Sequence, residues 1–138
     1  MAAAWAPPRS STARLAESPF TGHFHGLSPY KVWEGTHAHA IRGRNVQLAL
    51  VDLPASAPVP EHRHPNEQIG FILQGKLIFT IGGETRELGP GDTYVIPGDV
   101  PHSAVSGPEG AVAIDVFSPP RDDWEQLERP APRRASWP

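Results

Sequence analysis

Short stretches that alternate apolar and polar residues with a period of two, separated by glycine and proline, fill the middle of this chain. In Asn45–Leu53, Val46, Leu48, Leu50 and Asp52 fall on one side of an extended backbone, and Gln47, Ala49, Val51 and Leu53 on the other. Ile69–Leu73 is a nearly continuous apolar run ending at Gly75, and Lys76–Ile81 follows it. Gly82-Gly83 then supplies a hairpin turn into Glu84–Leu88. Gly89-Pro90-Gly91-Asp92 is a second turn, Thr93–Ile96 is a strand stopped by Pro97-Gly98, and Ala111–Phe117 is the last clear strand. Tyr30–Trp33 and Ala38–Ile41 are shorter candidates, and Asp122–Leu127 fits a single helical turn. No internal repeat is visible. Closely spaced strands joined by tight turns predict an all-β domain closed into a barrel or jelly roll, because closure removes unpaired strand edges.

The ends differ from the middle. Residues 1–29 read as a flexible arm rich in Ala, Pro, Ser and Arg, 30–124 as the barrel, and 125–138 as a Pro-rich tail. The 138 residues are the size of one domain. With 17 Pro and 13 Gly, helix breakers are abundant, which agrees with the β reading. The absence of Cys excludes disulfides, thiolate metal ligands and a thiol nucleophile. A net charge of -3 without a basic stripe argues against a nucleic-acid partner. No apolar stretch has the length of a membrane span, and Met1–Phe20 lacks a secretory apolar block. The expectation is a cytoplasmic protein acting on a small molecule.

Chemistry is concentrated in the histidines. Of seven, three pairs are spaced His-x-His. Positions i and i+2 of a strand share a face, so His62 and His64 point the same way and their imidazoles can bind one ion. Continuing the count puts Gln68 on that face and Glu67 on the other, unless Pro65 introduces a bulge that brings Glu67 round. His102, just after a strand and the stiff turn at Pro97, is placed to add a ligand from a neighbouring strand. His37 and His39 have no third ligand nearby, and His23 and His25 sit in the arm, so neither pair is expected to hold a metal.

These residues resemble the two sequence motifs of the cupins. His62-x-His64-x3-Gln68-x6-Gly75 fits the spacing of the first motif, and Gly91, Pro97 and His102 fit the second. Counted from Glu67 the spacing fits neither gap, which favours Gln68 as third ligand. Ser56, Asp99 and Ser106 stand where the motifs have Gly, Gly and Asn. The resemblance covers about residues 30–124 and implies a double-stranded β-helix barrel, a divalent metal held by His62, His64, Gln68 and His102, and a homodimer. Zinc, nickel, manganese and iron(II) all suit nitrogen and oxygen ligands. Three imidazoles and an amide leave the ion its full charge, which favours polarising a carbonyl or an enolate-like oxygen over oxygen activation.

A second cluster follows on the last strand. Asp115 interrupts an apolar run and shares a face with Phe117, while Arg121 follows Pro119-Pro120. Asp115 is a candidate for proton transfer, with orientation of a ligand or pairing with a buried Arg as the alternatives. Arg121 is a candidate carboxylate clamp, with an ion pair to Asp122, Asp123 or Glu125 as its alternative. Trp33, Tyr94 and Trp124 are candidate pocket aromatics, Tyr94 and Phe117 as substrate contacts, and Arg42, Arg44 and Lys76 are expected on the solvated surface. The Asp, Phe and Arg, together with His-x-His-Pro-x-Glu-Gln, resemble the pectin-degradation cupins of the KdgF type, which open 4,5-unsaturated uronates to linear keto acids. That resemblance implies Asp115 as acid/base and Arg121 as carboxylate anchor. The expected function is a metal-dependent isomerase or lyase on a small anionic molecule, with a polyketide cyclase, a dioxygenase and a non-catalytic binding protein as alternatives.

Overall fold

The computed structural model describes residues 18–138. The first 17 residues of the expected arm lie outside the described residues. The strands are β1 (Tyr30–Trp33), β2 (Thr36–Arg42), β3 (Gln47–Leu53), β4 (Pro58–His62), β5 (Glu67–Ile81), β6 (Glu84–Leu88), β7 (Thr93–Ile96) and β8 (His102–Ser118). All pairings are antiparallel, in the order β1-β2-β3-β8-β5-β6, with β4 also on β8 and β7 also on β5. This is the single all-β jelly-roll barrel that the alternation predicts. Among the described residues no helix is long and apolar enough to cross a membrane.

The two long strands shape the interior. β5 buries Gln68 and Ile72 before its bend, then Leu77 and Phe79 after it, so the inward set moves from even to odd positions. The pairing with β8 slips between Ile72 and Gln74 and again between Gly75 and Leu77, and Gly75 takes the left-handed φ of 76°. A bulge of this kind bends a strand without ending it. The apparent break at Gly75 is therefore a bend in one strand. β8 switches parity in the same way near Gly110.

Inside the barrel, Leu53, Ile72, Leu77, Phe79, Tyr94, Ile96, Ala104, Ala111 and Ala113 form one apolar cluster. Tyr30, Ala38, Ala49, Phe117 and Trp124 form a second, closed over by the 3-10 turn Asp122–Gln126. Leu50 and Val112 point to the opposite face, yet they are buried because Ala135 and Phe24 cover them. The C-terminal segment is fastened there by a hydrogen bond from His39 Nε2 to the Arg133 carbonyl (2.9 Å) and by Ala135 N donating to His25 Nδ1 (3.0 Å).

Two of the three motif departures fall where the backbone asks for glycine. Ser56 has φ 51° and Asp99 φ 64°, both left-handed. The third, Ser106, ties the turn down: its Oγ donates to the Pro54 carbonyl (2.5 Å) and accepts from Ala57 N (2.8 Å). Ser56→Gly is expected to raise unfolding stability by roughly 0.5–1 kcal/mol, the left-handed penalty less the extra unfolded-chain entropy of glycine. Urea titration of the two proteins checks this.

Candidate metal centre

β4 ends at His62, the loop after it carries His64, β5 opens with Glu67-Gln68, and β8 begins at His102. Pairing of β4 with β8 sets His62 opposite His102. One ligand atom from each of His62, His64 and His102 lies within 4.8 Å of the others, and among the described residues this is the one such group of His and acidic side chains. Gln68 Oε1 stands 3.1 Å from His64 Nε2. Gln68 is buried, whereas Glu67 is exposed. His39 is buried under the C-terminal segment and His25 is bonded to it, so both belong to that covering layer.

Hydrogen bonds decide which nitrogens carry lone pairs. His62 Nδ1 donates to the Pro60 carbonyl (2.8 Å), His64 Nδ1 to the Asn66 carbonyl (3.0 Å) and His102 Nδ1 to the Val100 carbonyl (2.8 Å). A carbonyl only accepts, so each neutral ring has its proton on Nδ1 and a bare lone pair on Nε2. Burial holds all three imidazoles below their ordinary pKa, with the Arg121 charge adding to it, and pushes His64 down to about 4. They are neutral, and so in ligand form, at neutral pH. His102 Nε2 is buried without a hydrogen-bond partner.

Gln68 adds an oxygen beside the three imidazoles. Its Nε2 donates to Asp115 Oδ1 (3.0 Å), which fixes the amide with Oε1 towards His64. An imidazole lone pair and a carbonyl oxygen thus face each other at 3.1 Å with no proton between them. Two acceptors at that distance repel unless a cation lies beside both, and it is about the separation of neighbouring ligands each about 2.1 Å from one ion. The donor set therefore fits a divalent cation.

Behind Gln68 the polar network continues. Asp115 Oδ1 also accepts from Tyr94 OH at 2.5 Å. Burial pushes the Asp115 carboxyl up against the lowering effect of these two hydrogen bonds, and burial raises the Tyr94 phenol well above its usual range. The approach depends on Gly70, which pairs with Asp115 on β8 and with Tyr94 on β7. A Cβ at position 70 would lie 2.5 Å from Asp115 Oδ1 and 2.8 Å from Tyr94 OH, and would also strike the Ile114 carbonyl. Gly70→Ala is expected to cost about 1–3 kcal/mol of stability through this overpacking. Thermal unfolding reads it, and a wild-type melting temperature would refute the close approach.

Asp115, Tyr94, Phe117 and Arg121 all line a cavity of about 330 Å³ that also takes in His62, Gln68 and His102. The sequence-level candidates thus converge on one space. Trp33 reaches it from β1, with its ring 5.0 Å from that of His62. Arg121 packs against the adjoining Phe117 and Trp124 rings, 5.0 Å from each centroid. Its Nε and Nη2 donate to the two oxygens of Asp123 at 2.9 and 2.8 Å, which fills one edge of the guanidinium and leaves Nη1 without a partner among the described residues. Asn66, which sequence reasoning passed over, holds the ligand loop to the end of β8 through Nδ2 bonds to the Pro119 and Pro120 carbonyls.

The cupin-domain family model matches residues 49–117, from β3 to the end of the site on β8. The chain belongs to the cupin family. This cupin is 41% identical over 81 residues to the pectin degradation protein KdgF of Dickeya dadantii, an alignment covering 58% of this chain and 74% of that protein. The solved structure of KdgF from Halomonas sp. superposes with a TM-score of 0.67 at 32% identity, over 75% of this chain and 98% of that one. The H2HPP isomerase of Bacillus subtilis is 33% identical over 79 residues, 56% of this chain and 33% of that protein. Enzymes are thus among the relatives of this cupin, an isomerase among them.

Proposed function

We propose that this cupin is a metal-dependent isomerase that opens the ring of a 4,5-unsaturated uronate to the linear keto acid. His62, His64, Gln68 and His102 would hold the ion. The observation that carries this reading is the pair of proton-free acceptors, His64 Nε2 and Gln68 Oε1, with the buried Asp115 carboxyl one hydrogen bond behind them. Likeness to two KdgF proteins supports the choice of substrate class. A divalent cation bound there supplies Lewis-acid polarisation of a substrate oxygen.

The reaction rearranges atoms without adding any. The bond between the anomeric carbon and the ring oxygen breaks, the anomeric hydroxyl loses its proton, and a proton arrives at carbon 4 as the enol becomes a ketone. One carboxyl can do both transfers, taking the first proton and delivering the second. Asp115 fits because Gln68 and Tyr94 both bond to Oδ1, which leaves Oδ2 for the moving proton. Its raised pKa lowers the cost of holding that proton near neutral pH. Phe117 and Trp33 flank the centre and limit the water around it.

The test is direct. Protein loaded with zinc, nickel, manganese or iron(II) in turn is given unsaturated galacturonate, and loss of the enol-ether absorbance is followed. Turnover with at least one metal is expected, and none by a fully loaded protein with any of them overturns the reading.

A further inference from the structure

The barrel cavity is lined by two arginines, and the structure treats them differently. Arg121 is buried, packed against two adjoining aromatic rings and bonded bidentately to Asp123, which lines the cavity beside it. The Nη1 edge of Arg121 keeps free N–H groups among the described residues, but a carboxylate bound there would have Asp123 beside it as a like charge, and the Arg121–Asp123 pair offers it no net positive charge. Arg63 also lines the cavity, is exposed, and makes no ion pair among the described residues. Its neighbours in the chain are His62 and His64, each pinned by a hydrogen bond from its own ring to the backbone. Its backbone is therefore held beside the metal centre while its guanidinium stays free.

We infer that Arg63, rather than Arg121, is the residue that anchors the carboxylate of an anionic substrate. Arg121 and Asp123 cancel each other, so Arg63 is the one uncompensated cationic side chain of the cavity among the described residues. The anion would gain a charge-assisted, planar contact without displacing a partner. Selectivity for acids over neutral sugars then resides in the segment between β4 and β5, and Arg121 serves to position Phe117 and Trp124. This rests on the proposed uronate chemistry for the identity of the probe.

The experiment uses the metal-loaded full chain. Isothermal titration with D-galacturonate, an unreactive acid, and D-galactose, its neutral counterpart, is run on the wild type, Arg63→Gln and Arg63→Lys. Arg63→Gln is expected to weaken galacturonate by about tenfold to a hundredfold, the span of one charge-assisted hydrogen-bonded contact, and to leave galactose alone. Arg63→Lys keeps part of the preference. KM for unsaturated galacturonate should rise by a similar factor, with a much smaller change in kcat. Wild-type binding should weaken with added salt more steeply than binding by Arg63→Gln. Galacturonate affinity within twofold of wild type in Arg63→Gln overturns the assignment, as does a wild type that prefers galactose. Binding of galacturonate without conversion of the unsaturated sugar would remove the ring-opening reading and leave the anchor standing. Conversion by Arg63→Gln with an unchanged KM would do the reverse.

Discussion

Asp115→Asn should lower kcat on unsaturated galacturonate by about 10²–10⁴-fold, the usual contribution of a positioned acid/base, with KM and metal content close to wild type. The substitution is nearly isosteric. Its amide oxygen can still accept from Tyr94 OH and Gln68 Nε2, the two donors that reach Asp115 Oδ1. The fold and the Gln68 orientation therefore survive, while the transferable proton is lost. Steady-state kinetics beside elemental analysis separates the possibilities. If Asp115→Asn keeps more than about a tenth of kcat, a loss below the range for acid/base groups, the carboxylate only orients Gln68.

The second large effect concerns the ion. His102→Ala should reduce bound metal from about one per chain to a trace and abolish turnover, since catalytic metal sites rest on three or four protein ligands. His102 is also the imidazole brought in by a distant strand, opposite His62 on β4. Its loss leaves donors from the β4–β5 segment alone. A melting temperature that rises on adding metal to the wild type, by linkage worth about 4 kcal/mol at a thousand times Kd, should not move in the variant. Metal-dependent stabilisation of His102→Ala equal to wild type would show that the cation binds elsewhere.

Much of this was legible in the sequence, for identifiable reasons. The period of two in β3 placed Gln47, Ala49, Val51 and Leu53 together, and the structure turns that set inward. Spacing in His62-x-His64 brings the ring atoms within one small volume, and the side chain of Gln68 lies beside His64 although Pro65 intervenes. The count fails where a strand carries a bulge. Gly75 looked like an end and is a bend, so β5 was read as two strands, and the first half of β8 was missed for a related reason at Gly110. Burial of Leu50 on the far face was invisible, since it depends on Ala135, far along the chain. The partner of Arg121 was left open among three acids, because sequence distance does not say which carboxylate the fold brings to the guanidinium; Asp123 is the one.

Position 70 carries a lesson for anyone reshaping this cupin. It contributes no atoms to the cavity wall, so a mutant library aimed at wall side chains would leave it out. Yet the carboxyl–phenol contact behind Gln68 exists because that position is empty. Retuning the chemistry by enlarging residues around Asp115 is therefore constrained from the rear, and the more productive direction is the open rim.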